Sequence, residues 1–245
     1  MTNEVFTILE NPKQNIYLDL KSKLMSIDAD LANASPPLMA SVLSDSGVER
    51  PDGFSAALPT SAPPNTRYIY EREYIDSIQL SKNLVSRGFS VDPQSGEAAY
   101  GVPVKGIVTH GLGHQLKIVV NEILRHNGIK MGALYRGACN MSVYNNSHPQ
   151  PHVDHPFPHV GMLIYLNKSQ GDTVICNEQE DFKAEPNLNG LVCEAPLDSL
   201  TTAATISPDE DKVVIMNGAN YHYNLLPPEG AEGRVVIVAT FSLHQ

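Results

Sequence analysis

Three residues late in the chain have the types and spacing of a metal site. They are His152 and Asp154 in Gln150-Pro151-His152-Val153-Asp154-His155, and His222 in Asn220-Tyr221-His222-Tyr223. On an extended strand, residues i and i+2 project to one face, so this imidazole and carboxylate can converge on one point. A second imidazole from a later strand completes a facial set of two nitrogens and one anionic oxygen, which leaves open positions for a bidentate cosubstrate and O2 at non-haem Fe(II). By themselves these donors suit Zn(II) or Mn(II) as well. An HxD tripeptide also arises by chance, and a strand histidine bonded to backbone is the plainer reading of His222 taken alone.

Arg234 shifts that balance. It follows His222 by twelve residues and opens the run Val235-Val236-Ile237-Val238-Ala239-Thr240-Phe241. A guanidinium turned inward on so apolar a strand is costly without an anionic partner. A ligand carboxylate, paired bidentately, would supply one. The alternative is an arginine at the strand mouth with its head in water. In Leu163-Ile164-Tyr165-Leu166-Asn167, Tyr165 sets a phenol within an apolar run, where a core tyrosine with a satisfied hydroxyl is an equal reading.

The elements that must position these residues change in texture near Gly128. Before it, Ile16, Leu20, Leu24, Ile27 and Leu31 fall at helical spacing, residues 73–87 predict a second helix ended by Gly88, and residues 112–126 predict a third that stops at Asn127-Gly128. Residues 34–65 hold six of the eighteen prolines among Ser and Ala, and read as a long loop or flap. After Gly128 come short Val-, Ile- and Tyr-rich runs: Ala138–Tyr144, Val160–Leu166, Thr173–Cys176, Val213–Met216, Tyr221–Leu226 and Val235–Leu243. Many short strands with turns between them predict a sandwich or jelly roll. The expected organisation is a helical and looped N-terminal elaboration, residues 1–130, packed on a β core of residues 131–245.

Other histidines carry less. His148, His152, His155 and His159 crowd one segment and raise the alternative of a second metal, but the prolines at 149, 151, 156 and 158 predict a loop in which imidazoles are readily solvated, with a contact to substrate as the other alternative for His155 and His159. His110 and His114 stand four apart, yet Gly111 and Gly113 weaken a helix there, so both read as loop residues. Four glycines in Gly101–Gly113 suit a mobile flap.

Composition bounds the partners. A formal charge of -10 argues against nucleic acid or an anionic membrane as the main partner. Three cysteines, Cys139, Cys176 and Cys193, lack metal-type spacing and read as thiols of a reducing compartment. The first residues lack the basic and apolar segments of a secretory signal, and no apolar stretch approaches the roughly 20 residues of a membrane span. The expectation is a cytoplasmic protein.

The order of these pieces resembles the 2-oxoglutarate- and Fe(II)-dependent oxygenase superfamily, in particular its prolyl-4-hydroxylase-like branch. The resemblance runs from Tyr144 through HVD at 152–154, LIYLN at 163–167, GDTVICNE at 171–178 and VVIMNGANYHYNLLPP at 213–228 to RVVIVATF at 234–241. It covers about residues 138–243 and none of residues 1–130. It implies a mainly β, α+β fold with N-terminal helices, whose core is a double-stranded β-helix, a cupin-like jelly roll. His152, Asp154 and His222 take the family's metal positions. Arg234 takes that of the basic residue binding the distal carboxylate of 2-oxoglutarate, with Tyr165 and Tyr144 at tyrosine positions of the same pocket. The implied activity is hydroxylation of a C–H bond in a peptidyl substrate, prolyl among them, or in a small molecule. Fe(II), 2-oxoglutarate and O2 are then required, ascorbate is a stimulant, and succinate and CO2 are products. Two readings from other classes stand beside it. One is a non-catalytic jelly-roll module binding metal or sugar. The other is a Zn-dependent hydrolase, against which the absence of HExxH counts.

Overall fold

The computed structural model describes residues 5–26, 41–43, 48–49, 55–56, 66–70, 74–75, 79–91, 94–95, 98–108, 110–142, 150–182, 188–189 and 192–244. The N-terminal half runs β1 (Phe6–Leu9), α1 (Asn15–Ser26), β2 (Ser41–Leu43), β3 (Val48–Glu49), β4 (Ser55–Ala56), β5 (Thr66–Tyr70), β6 (Tyr74–Ile75), β7 (Gln79–Val91), β8 (Ala98–Val108) and α2 (Gly113–His126). There follow β9 (Met131–Ser142), β10 (His152–Val153), β11 (Val160–Tyr165), β12 (Thr173–Gln179), β13 (Leu188–Asn189), β14 (Val192–Glu194), β15 (Thr202–Ile206), β16 (Val213–Asn217), β17 (Asn220–Asn224) and β18 (Arg234–Leu243). No helix is long and apolar enough to cross a membrane among the described residues.

The topology follows from how the late strands pair. β16, β11, β18 and β9 are neighbours in a major sheet, and β10, β17, β12 and β15 in a minor one, all antiparallel. The chain passes back and forth between the two sheets, which makes a double-stranded β-helix of eight main strands. The fold expected from the resemblance is therefore present: mainly β, with two α-helices and two large antiparallel sheets, besides the short β3–β4 pair, among the described residues.

β18 shows how the sequence selects this arrangement. Its residues Arg234 to Phe241 are all buried, as befits a central strand covered on both faces. Val235, Ile237, Ala239 and Phe241 pack outward against Leu116, Val119, Val120 and Ile123 of α2 and against Tyr17, Leu20 and Leu24 of α1. Val236 and Val238 face inward with Leu163, Tyr165, Ile175 and Val214. The period of two thus divides one apolar run between two cores. Helix α2 offers its apolar residues at i, i+3, i+4 and i+7, a single stripe for the sheet. It ends where Gly128 takes φ 72°, with Gly128 N–H donating to Arg125 O and Ile129 N–H to Leu124 O, a Schellman closure.

The early half departs from expectation in three places. Residues 79–91 are strand, not the helix predicted over 73–87: β7 pairs with β9 from Gln79↔Ser142 to Asn83↔Ala138. Without it β9 would be an open sheet edge, and pairing there outweighs the weak local helical spacing. Residues 98–108 form β8, paired to β7, so most of the glycine-rich stretch Gly101–Gly113 is strand, and α2 begins at Gly113. His114 lies in the first turn of α2, not in a loop. The Pro/Ser/Ala segment 34–65 lies largely outside the described residues, as does the extension of the first helix toward Leu31.

Candidate metal centre

His152 and His222 stand directly opposite one another on β10 and β17 of the minor sheet, with ring centroids 4.8 Å apart. Asp154, two residues after His152, brings Oδ2 to 3.7 Å from His222 Nε2. One ligand atom from each of the three residues lies within 4.8 Å of the others, so a single ion can touch all three. His152 lies on β10 and Asp154 in the bend directly after it, while antiparallel register supplies the third member.

Each donor is held in its ligating form. His152 Nδ1 is 2.9 Å from Gln150 O and His222 Nδ1 is 3.1 Å from Asn220 O. An Nδ1–H donating to these carbonyls leaves each Nε2 with its lone pair toward the centre. Burial, with His152 alongside and Asp154 opposing, pushes the His222 pKa down to about 4, so its imidazole is neutral at neutral pH. Burial alone would raise Asp154, but His222, Arg136 and His152 hold it well below the usual carboxylate range. Arg136 Nη1 donates to Asp154 Oδ1 at 3.4 Å, while the buried Oδ2 has no hydrogen-bond partner. A buried carboxylate oxygen with no donor, beside two Nε2 atoms, fits a divalent cation.

Arg234 opens β18 and is 3% exposed. Its Nη2 donates to Thr173 Oγ1 at 2.8 Å, its guanidinium lies 5.3 Å from the Tyr165 ring centre, and its buried Nε has no partner. Burial draws its pKa down, with Tyr165 and Asp172 acting against it. Among the described residues, no carboxylate forms an ion pair with it. A buried cation in this state fits an anionic ligand.

Arg234 and the three metal-type residues line one cavity of about 150 Å³, together with Arg87, Arg136, Asn140, Thr173 and Asn224 among others. Tyr165 stands behind this wall: its hydroxyl donates to Thr173 Oγ1 at 2.8 Å, the oxygen that also accepts from Arg234. Tyr144 lies outside the described residues. His155 and His159 are not the solvated loop imidazoles the prolines suggest. Both are buried: His155 stacks on Phe157 with Nε2 2.6 Å from Thr240 Oγ1, and His159 Nδ1 meets Phe157 O at 2.8 Å. Gly218 makes room for His159, since a Cβ there would come within 2.4 Å of its ring.

Sequence reasoning missed Thr173, Arg87 and Arg136. The signal for Arg136 is the period-two row Arg136, Ala138, Asn140 and Ser142 on β9, which aligns with Thr240, Val238, Val236 and Arg234 on β18.

No family model matches the chain, and no curated protein matches it. Among solved structures it is similar to an α-ketoglutarate-dependent carbocyclase from nogalamycin biosynthesis, at 8% identity and TM-score 0.49 over 98% of this chain and 80% of that one. It is similar also to a prolyl hydroxylase from Trichoplax adhaerens, in complex with a hypoxia-inducible-factor peptide fragment, at 12% identity and TM-score 0.45 over 98% and 84%. A third is a Pseudomonas putida prolyl-4-hydroxylase, at 13% identity and TM-score 0.36 over 99% and 95%. At these values the likenesses carry no argument about chemistry, which rests on the cavity's own geometry.

Proposed function

We propose that the chain is an Fe(II)- and 2-oxoglutarate-dependent oxygenase that hydroxylates a C–H bond of a peptidyl or small-molecule substrate. The observation that carries this reading is the sharing of one cavity by a His-Asp-His set and a buried arginine that has no carboxylate partner among the described residues. A zinc hydrolase or a metal-binding jelly roll uses the first feature and leaves the second without purpose.

In this reading His152 Nε2, Asp154 Oδ2 and His222 Nε2 hold the metal. Arg234 binds the distal carboxylate of 2-oxoglutarate, oriented by Thr173, whose hydroxyl Tyr165 in turn fixes. The chemistry supplied by the loaded site is oxidation of the C–H bond by O2, with 2-oxoglutarate leaving as succinate and CO2. Leu163, Val236 and Val238 give the cavity a dry wall, which strengthens every charge contact inside it. Residues 1–130 serve as the elaboration packed on the core of residues 131–245.

Anaerobic titration with Fe(II) and then 2-oxoglutarate tests the proposal. A weak metal-to-ligand charge-transfer band near the red-green boundary is expected. Metal binding that 2-oxoglutarate leaves spectroscopically unchanged would count for the hydrolase or binding-module reading instead.

A further inference from the structure

We infer that Asn167 is the positioning residue of the arginine site: its side-chain amide bonds the main chain on both sides of Arg234 and fixes the root of the guanidinium before any ligand arrives. The inference rests on the oxygenase reading and deepens it, because the residue it positions is the one given the distal carboxylate of 2-oxoglutarate.

Arg234 stands where a strand frays most readily. It is the first residue of β18, and the chain reaches it by way of the exposed residues Pro228, Glu229 and Gly230. On the β9 side, Arg234↔Ser142 is the last ladder pair. On the β11 side the ladder stops earlier, at Tyr165↔Val236. One step beyond, Leu166 N–H still donates to Val235 O at 2.9 Å, but the Val235 N–H goes to a side chain, Asn167 Oδ1, also at 2.9 Å. The same amide turns its Nδ2 to Gly233 O at 2.8 Å and to Glu232 Oε1 at 3.3 Å. Continuing the register two steps past Tyr165↔Val236 sets Asn167 opposite Arg234. One side chain thus carries the sheet past the point where its main-chain ladder ends.

An amide suits this task because it presents an acceptor to the Val235 N–H and a donor to the Gly233 carbonyl at once. A carboxylate lacks the donor, and an apolar side chain lacks both. Asn167 is buried, so these bonds form in a low dielectric, where leaving one unmade is costly. The tip of Arg234 is held separately, by Nη2 donating to Thr173 Oγ1 at 2.8 Å. Root and tip are therefore fixed by different residues. The order at the start of β18 exists before 2-oxoglutarate binds, and the ligand does not have to impose it.

Anaerobic calorimetry on Asn167→Ala, with Fe(II) and then 2-oxoglutarate as titrants, reads the consequence. Fe(II) affinity should hold within a few-fold. Affinity for 2-oxoglutarate should fall about tenfold, as the ordering of the first residues of β18 shifts onto the binding step. Amide hydrogen exchange adds a readout that general destabilisation would not reproduce. In Asn167→Ala the Val235 amide should lose its protection while those of Ile237 and Ala239 keep theirs. The ligand-free wild type bears on the inference without any variant: its Val235 amide should already be protected like that of Ile237. A wild-type Val235 amide that exchanges freely until 2-oxoglutarate binds overturns the inference, and so does an Asn167→Ala protein that binds 2-oxoglutarate as tightly as the wild type. Equal weakening of both ligands, with faster exchange along all of β18, overturns it too, since that marks a merely structural bond. A wild type that binds Fe(II) but never 2-oxoglutarate sinks the oxygenase reading instead, while exchange at Val235 still reports on the bond from Asn167.

Discussion

The major sheet is packed on both faces, against α1 and α2 outside and the minor sheet within. The minor sheet differs: a small cluster of Val153, Cys176, Cys193 and Tyr221 backs it, and its edge strand β15 is exposed at Thr202 and Thr205. Yet the minor sheet carries both candidate histidine ligands, while the major sheet carries Arg234. The contrast shows two ways to fix a side chain. Arg234 is fixed by the burial of its strand from Arg234 to Phe241 and by its bond to Thr173. His152 and His222 are fixed locally, each ring tied to a carbonyl two residues upstream. Damage to the first should cost stability, and damage to the second should cost metal.

The largest expected effect is on metal binding. Asp154→Ala should lower Fe(II) affinity roughly a thousandfold, beyond the ten- to hundredfold of an outer partner's loss. Calorimetric titration measures it, and a loss of Tm as large as a core truncation would break the contrast. Leu116→Ala, which empties a fully buried contact of α2 with the major sheet, should cost about 2–5 kcal/mol in urea unfolding. The folded fraction of that variant should bind Fe(II) as before.

Acid should act through the minor sheet. With an unfolded pKa near 6.5 and a folded value of about 4, His222 takes up its proton in the unfolded state first as pH falls. Stability of the metal-free protein is therefore whole above pH ~6.5 and falls on the order of 3 kcal/mol as pH drops to ~4. Below that window, protonation of the depressed Asp154 carboxylate continues the loss. Denaturant melts at stepped pH read the slope, and His222→Gln should make it shallower without abolishing it, because burial also holds His155 and His159 below the usual imidazole range. The smallest effect is at Thr173→Val, which removes the oxygen shared by Tyr165 and Arg234. About 1 kcal/mol, or several-fold in 2-oxoglutarate affinity, is expected.

Much of this contrast was legible from single residues. The HVD tripeptide needs only the period of a strand, and Arg234 announces itself by opening seven apolar or neutral residues. The features that were not legible depend on distant partners. β7 reads as helix until β9 is known to need a neighbour, because Leu80 and Leu84 stand at helical spacing but pair or pack across the sheet. Arg136 is one arginine among several until register sets it opposite Thr240. His159 is an exposed loop imidazole until Gly218, far along the chain, opens a place for its ring. Tyr165 shows a subtler case: its strand was readable, but its hydroxyl is taken by Thr173, so it works on the cavity from behind.

Paired calorimetry on Arg234→Met separates the metal site from the arginine site, with Fe(II) and 2-oxoglutarate titrated separately into wild type and variant. We expect Fe(II) affinity unchanged within a few-fold and 2-oxoglutarate affinity reduced by about 2–5 kcal/mol, the cost of removing one partner of a buried charge pair. The metal-free variant should melt no lower than the wild type, because a buried cation has been replaced by an apolar side chain of similar reach. Equal loss of both ligands, or 2-oxoglutarate bound as tightly without the guanidinium, would contradict it.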